Sequence, residues 1–551
     1  MLHLPIGVDD FSKIKEYYYV DKTLFIKDIL DYCQYRTILF TKPRRFGKSL
    51  NLSMVEHYFT NHGDHSNLFK DLNIASCGDK YLAHQGKYPV IHLNFKDISA
   101  SNYADFTADL MSEISRVFRL FPELINAKTL FEIDKEKYLT IANERTKNIN
   151  DYADALKHLS QLLCSYYKQP CVILVDEYDT PLSIAYQNGF FEEAITFFRK
   201  FYSSFSKSNS NVFFVLLTGI TEISKESIFS EMNNVDIYTI VDKEFSQYFG
   251  FTDKEIKKMC NSLGVTVDMT KLNQWYGGYG PNGTILNPWS ILNYINRGSF
   301  DPYWINTGSN FAIRQVLGED RYMIEALNEA LVDQDVSFDF YRGISYRDLR
   351  SNKDILFSLL IHAGYLTFAV NQEGMKTLRL PNIESEKAFE REVVSRVDPI
   401  LPLAKASKLR HAIETRDVNM IQSIFEDMID SSFSYLDLNK EKEYQSMVVA
   451  LLAVLFGEYT VKSEVNGRYG RCDVLLTPKN KDGIGIVIEI KKHQVRLSEA
   501  KFEQSAIAAL KQIHKHNYYQ DLLSKGYQSI VLYAFVFDGV KMRAKAETIS
   551  Q

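Results

Sequence analysis

"TKPRRFGKSL", residues 41–50, is the stretch whose reading decides the fold of this chain. Gly47, Lys48 and Ser49 satisfy the second half of G-x-x-x-x-G-K-[ST], whereas the place of the first glycine is held by Lys42, followed at once by Pro43. A loop of this kind needs a strand before it, a turn whose backbone N–H groups face inward, and a helix whose N-terminus points at an anion. The sequence supplies "RTILF" (36–40), the turn, and "LNLSMVEHYF" (50–59). In that setting Lys48 reaches the terminal phosphates of a nucleotide such as ATP, the Ser49 hydroxyl ligates Mg2+, and Gly47 permits close backbone approach. Pro43 pushes Lys42 to an extended backbone, so an extended entry replaces the tight glycine turn.

Moving outward, the loop needs an acidic partner, and "CVILVDEYD" (171–179) offers one. Asp176 at the end of an apolar run can hold Mg2+ through water, and Glu177 can polarise an attacking water. The plainer alternative is a buried strand that ends in solvated acids. A further run, "NVFFVLLTGI" (211–220), carries Thr218, a suitable polar sensor for a γ-phosphate. Together with "VIHLNF" (90–95), these runs alternate with helix-like stretches at 103–121, 151–167 and 188–206. Near-continuous β-branched and aromatic runs separated by helices predict a parallel sheet covered on both faces, an α/β domain.

At 551 residues the chain is too long for one core, and roughly one domain per 150 residues suggests three or four. With 45% hydrophobic and 24% charged residues it has a globular composition. The formal net charge of −5 provides no global field to attract nucleic acid or an anionic membrane, so any nucleic-acid contact must come from a local patch. The six cysteines are scattered, without a C-x-x-C pair, which suits reduced thiols in a cytoplasmic protein. No apolar run approaches the roughly 18 residues of a membrane helix. His62/His65 and His514/His516 lack metal-site partners at a convincing spacing and are read as surface residues.

From 241 to 410 the pattern is mainly helical, punctuated by "WYGGYGPNGTILNPWS" (275–290) and "DPYWINTG" (301–308). Its tryptophans, Trp275, Trp289 and Trp304, are read as core anchors, with a base-stacking platform as the alternative. The last part, 411–551, has a helix near 442–456, strand-like runs at 459–465, 471–477 and 485–492, a helix at 498–515 and a strand at 529–537.

Within it, "GRYGRCDVLLTPKNKDGIGIVIEIKK" (467–492) carries a second chemistry. Glu489 and Lys491, two apart on a strand, project to one face, and a hairpin can bring Asp473 alongside. Two such carboxylates can hold Mg2+ or Mn2+, and a lysine beside the metal-bound water can orient or deprotonate it for attack on a phosphodiester. An exposed E-x-K is ordinarily a solvated ion pair. Here it interrupts the apolar run "IVIEIK", where an acid costs several kcal/mol unless paired or metal-bound.

The motifs "LPIGVDDFSKI", "YYYVDKTLFIKDIL", "KPRRFGKSL", "YPVIHLNFKD", "VILVDEYDTPL" and "TGITEISKESIFSEMNNV", in this order, resemble the AAA-ATPase-like proteins of bacteria and their mobile elements. Their members commonly end in a nuclease-like domain. The resemblance makes Lys42 a family feature, since such loops run Pro-Arg-Arg before Phe-Gly-Lys-Ser and often lack the first glycine. Arg44 and Arg45 can then clamp phosphate oxygens or pair with acids such as Asp97 or Asp176. Glu222 departs from the family, in which a basic residue tends to follow the sensor strand, and the departure points to weak ATP hydrolysis.

The D…E-x-K pattern likewise resembles the PD-(D/E)XK nuclease superfamily. That resemblance implies Asp473 and Glu489 as metal ligands, Lys491 as catalytic lysine, Glu443 supporting the metal from the preceding helix, and Gln512 orienting a core group or the substrate backbone. Cys472 stands where the superfamily's name places proline, behind a Gly470-Arg471 pair usual in this branch. The expected layout is therefore a P-loop NTPase domain at 1–240, a helical middle or lid region at 241–410, and an α/β PD-(D/E)XK nuclease-like domain at 411–551. The expected activity is ATP binding joined to Mg2+-dependent cleavage of DNA or RNA. The alternative is a nucleotide-dependent nucleic-acid-binding or scaffold protein, such as a defence factor or toxin, without nuclease turnover. Oligomeric state stays open.

Overall fold

The computed structural model describes residues 3–32, 36–207, 209–223, 235–304, 337–349, 351–370, 374–388, 403–432, 444, 445, 448, 452, 459–467, 470–478, 480, 483–493, 496–539 and 541–550. They fall into two compact units, one drawn from 1–327 and 335–385, the other from 386 onward.

In the first unit, α1 (Leu24–Tyr32) leads to β1 (Thr37–Thr41), the phosphate loop and α2 (Lys48–Phe59). Then come β2 (Val90–Asn94), α3 (Tyr103–Arg119), α4 (Ala155–Tyr167), β3 (Cys171–Asp176), α5 (Thr180–Gln187), α6 (Phe191–Ser206), β4 (Val212–Gly219) and β5 (Val235–Tyr238). The five strands form one parallel sheet in the order β2-β3-β4-β1-β5. Every residue of β1, β3 and β4 is buried, as expected of central parallel strands between helical layers. The expected helix at 188–206 begins at Phe191, because α5 ends at Gln187 and Gly189, with a φ of 80°, separates the two helices. The half-exposed edge strand β5 adds to the four anticipated strands.

The "YVDKT" motif is explained by its bonds. Asp21 accepts from Thr23 N at 2.8 Å and from Asn73 N at 2.7 Å. Lys22 Nζ reaches Glu255 at 2.5 Å and the Gln247 carbonyl at 2.7 Å. Glu255 is also the N3 residue of a capping box with Thr252 that starts α7 (Asp253–Leu263). Helices α8 (Met269–Tyr276), α9 (Pro288–Arg297) and α10 (Lys353–His362) belong to the same unit. The tryptophans pack there: Trp275 against Phe300 (5.5 Å between ring centres) and Trp304 against Tyr365 (4.9 Å), while Trp289 Nε1 donates to the Tyr303 carbonyl at 3.3 Å.

The second unit has α11 (Leu403–Thr415), α12 (Val418–Ser432), β6 (Tyr459–Gly467), β7 (Gly470–Pro478), β8 (Gly485–Lys492), α13 (Glu499–His516), β9 (Ser529–Phe537) and β10 (Met542–Ser550). The strands lie in chain order in one sheet, antiparallel except for the parallel pair β8–β9, which α13 connects. One face is covered by α11 and α12 through Leu409, Ile421 and Phe425. The other is covered by α13, whose buried Phe502, Ala506, Ala509 and Ile513 recur at helical spacing. Most of the helix expected at 442–456, Glu443 included, lies outside the described residues.

Candidate nucleotide and nuclease sites

The phosphate loop leaves β1 at Thr41 and enters α2 through Gly47, whose φ of 82° is a left-handed conformation that glycine adopts freely. Lys42 is 1% exposed. Its Nζ donates to the Thr239 carbonyl at 2.6 Å and lies 5.5 Å from the centre of the Phe249 ring. Burial pulls the amine down to about 7, against the opposing charge of Asp242. The side chain in the first-glycine place thus points into the protein and acts as a strut.

Lys48 Nζ donates to the carbonyls of Lys42 and Pro43, both at 2.9 Å. Burial lowers its pKa, and Glu177, Asp176 and Asp179 oppose that shift. Ser49 sits in the first turn of α2. Arg44 is close enough for its charge to act on both Lys48 and Glu177. The Arg45 guanidinium lies over the Trp289 ring, 4.2 Å from its centre, an aromatic contact that the loop sequence did not foresee.

Because β4 lies between β1 and β3, Thr218 stands between the loop and the acid strand. Its hydroxyl donates to Asp176 Oδ1. Asp176 also accepts from Glu177 N at 3.0 Å and from Asn94 Nδ2 at 3.3 Å, so it is both buried and well supplied with donors. Glu177 has a φ of 54°, uncommon for a non-glycine residue and frequent at functional sites. Its carboxylate accepts from Thr180 Oγ1 at 3.0 Å. Burial raises its pKa, and the charge of Lys48 opposes this.

Two contributors were not foreseen. Asn94 ends β2 opposite Asp176. Asp179 is buried and accepts from Ile220 N (3.0 Å), Thr221 N (2.8 Å) and Thr221 Oγ1 (2.9 Å), tying the start of α5 to the end of β4. The approach is close enough that a Cβ on Gly219 would stand 2.5 Å from Asp179 Oδ1. The second aspartate of "DEYD" was the available signal. Glu222 is buried in a two-residue strand paired with Gly343–Ile344.

In the second unit the register Val474↔Ile488 sets Asp473 beside Glu489 on adjacent antiparallel strands. Asp473 Oδ2 accepts from Ile490 N at 2.7 Å. Glu489 is 2% exposed, and Lys491 Nζ donates to its Oε1 at 2.8 Å. On the other side Glu489 neighbours the buried Ala534 of β9. Burial, reinforced by the Glu489 and Asp473 charges, holds the Cys472 thiol well above its usual range. Gln512 of α13 is hydrogen-bonded to Tyr518, whose pKa is raised by burial and by the charges of Glu489 and Asp473. Tyr518 thus lies beside the site, although no motif marked it. Gln445 Nε2 donates to the Asp473 carbonyl at 3.0 Å. Glu443, two residues earlier, lies outside the described residues, and among those described no three metal-ligating side chains cluster. Adjacent carboxylates with all-oxygen donors suit a hard divalent cation, so Asp473 and Glu489 fit Mg2+ as a partial ligand set.

Comparison with known proteins agrees with both halves of this description. Residues 5–229 match the family described as predicted AAA-ATPase, and residues 439–547 match the PD-(D/E)XK nuclease superfamily. The chain is 26% identical over 433 residues to an "uncharacterized protein in vnfD 5′ region" of Azotobacter chroococcum mcd 1, a match covering 77% of this chain and 76% of that protein. Among solved structures, the Walker-type ATPase of Pyrococcus abyssi overlaps with a TM-score of 0.36 at 12% identity, over 70% of this chain and 99% of that one. PCH-2 of C. elegans overlaps with a TM-score of 0.19 at 13% identity, over 61% and 64%. No helix among the described residues is long and apolar enough to cross a membrane.

Proposed function

From a chain that joins an AAA-ATPase-like domain to a PD-(D/E)XK nuclease superfamily domain, we propose an ATP-binding protein whose second unit is a Mg2+-dependent nuclease, with nucleotide binding regulating cleavage. The observation that carries the nuclease reading is the placement of Asp473 and Glu489 side by side, with Lys491 bonded to Glu489. A divalent ion, Mg2+ or Mn2+, held by Asp473 and Glu489 in one site and by Ser49 and Asp176 in the other, would neutralise phosphate charge and lower the pKa of a bound water. Lys491 then orients, or takes the proton from, the oxygen that attacks a phosphodiester of DNA or RNA. Glu443 would support the metal, and Gln512 orients a core group or the substrate backbone.

In the first unit, Gly47 and its neighbouring amides receive the phosphates. Lys48 exchanges the carbonyls of Lys42 and Pro43 for the terminal phosphates, and Arg44 and Arg45 add positive charge beside them. Glu177 polarises the attacking water, and Thr218 senses the γ-phosphate by exchanging its hydrogen bond to Asp176 for one to a phosphate oxygen. Glu222, buried where a basic group would serve turnover, favours binding over rapid hydrolysis.

One observation favours a second reading, a nucleotide-dependent scaffold that grips nucleic acid without cutting it. Lys491 and Glu489 already form an ion pair within the fold. Incubating the full-length chain with single- and double-stranded DNA and RNA in Mg2+ or Mn2+, beside Lys491→Ala, separates the two. The nuclease reading expects cleavage that the variant loses; equal products from both proteins would sink it.

A further inference from the structure

The phosphate loop is gripped from outside by residues about 200 to 320 positions further along the chain, in the same unit. Pro43 is seated on Gly364, which has a φ of +84° and where a Cβ would come within 2.8 Å of the Pro43 ring. Arg45 stacks on Trp289. Phe46, 1% exposed, meets Tyr279 edge to face with ring centres 5.0 Å apart. Lys42 is tied to Thr239. Four of the five residues between Thr41 and Gly47 therefore have their side chains engaged by residues 239–364.

Arg45 itself has a φ of 66°, a left-handed conformation that is costly for a non-glycine residue. A glycine at the first position would let such a loop turn by its own freedom. This loop has none between Thr41 and Gly47, so its shape is set by what packs on it.

We propose that Trp289, Tyr279 and Gly364 are positioning residues of the nucleotide site. By seating Arg45, Phe46 and Pro43 they hold the loop in the shape in which its amides face a phosphate. ATP binding is thereby coupled to the packing of segments 275–290 and 353–366. The inference rests on the nucleotide reading above and adds its regulation. None of the three residues is assigned a contact with the ligand. Their effect passes through the loop, and linkage requires it to be reciprocal: whatever they contribute to ATP affinity, bound ATP returns as stability of those segments.

Calorimetric titration of the full-length chain with ATP and Mg2+, combined with amide hydrogen exchange of the two segments, tests this. Trp289→Leu and Gly364→Ala are expected to weaken ATP binding by about tenfold, within the usual span of coupling between sites. Trp289→Phe, which keeps a ring face for Arg45, should stay closer to wild type. Saturating ATP should slow exchange in 275–290 and 353–366 of wild type and leave Lys48→Ala unchanged, a response that a merely structural role would not give. Should Gly364→Ala fail to fold, Trp289→Leu and the exchange measured on wild type still decide. Wild-type affinity in Trp289→Leu, or unaltered exchange at saturating ATP, would overturn the proposal. A wild type that takes up no ATP in the calorimeter overturns the nucleotide reading itself, and this inference with it.

Discussion

Replacing Lys42 by methionine should make the first unit more stable at neutral pH and abolish a pH dependence that the wild type carries. Lys42 is buried with its amine on one carbonyl and over one ring, and burial lowers its pKa from 10.5 to about 7. At about 1.4 kcal/mol per pH unit, that gap corresponds to an upper bound of about 5 kcal/mol for burying the charge. Against it stand the charge-assisted bond to Thr239, about 1.5–3 kcal/mol, and the Phe249 contact, about 0.5–2 kcal/mol. A net gain of up to about 3 kcal/mol for Lys42→Met near pH 7 follows from these. The folded amine binds fewer protons than the unfolded one between pH 7 and 10.5, so wild-type stability rises with pH through that window. Below pH 7 the amine is charged in both states and the destabilisation is fully present. Between pH 7 and 9 the wild type should recover about 2 kcal/mol relative to Lys42→Met. Urea unfolding followed by tryptophan fluorescence reads this unit, since all three tryptophans lie in it. A difference between the two proteins that stays constant within about 0.5 kcal/mol from pH 7 to 9, the scatter of ordinary surface changes, would refute the buried-amine account.

Asp179→Ala strands two backbone donors, those of Ile220 and Thr221, and should destabilise the first unit by about 2–4 kcal/mol, measured by the same unfolding assay. Lys48→Ala should lose the thermal stabilisation that ATP gives wild type, about 2.7 kcal/mol at a ligand concentration 100 times Kd, read as a melting shift present in one protein and absent in the other. Asp473→Asn should lose Mn2+ uptake, detected by electron paramagnetic resonance of free Mn2+, while its melting curve stays close to wild type. Undiminished uptake would remove Asp473 from the ligand set.

The sheet of the first unit was legible because β1, β3 and β4 are buried on both faces and so read as unbroken apolar runs. Strand β5, "VDIY", was missed because an edge position leaves it half exposed, with an aspartate in it. Strand β10, "MRAKAETIS", was missed for a similar reason: it lies at the edge, paired with β9, and its Arg543, Lys545 and Glu547 break the apolar pattern. In the second unit the strands at 471–477 and 485–492 and the helix at 498–515 agree with β7, β8 and α13 to within a residue, since their alternation and spacing are local properties. The places of Lys48, Asp176, Asp473, Glu489 and Lys491 followed from such local patterns. The burial of Lys42, the stacking of Arg45 on Trp289 and the tie from Asp179 to Thr221 depend on partners 42 to 244 positions away. Short motifs hold no record of such pairings.

The central claim, a nuclease site governed by a nucleotide site in one chain, is tested most directly by cleavage of labelled DNA and RNA in Mg2+. Wild type, Lys491→Ala and Lys48→Ala are compared, each with and without ATP. The account predicts cleavage by wild type that changes when ATP is added, no cleavage by Lys491→Ala, and cleavage by Lys48→Ala that ignores ATP. Identical products from all three proteins in both conditions would contradict it.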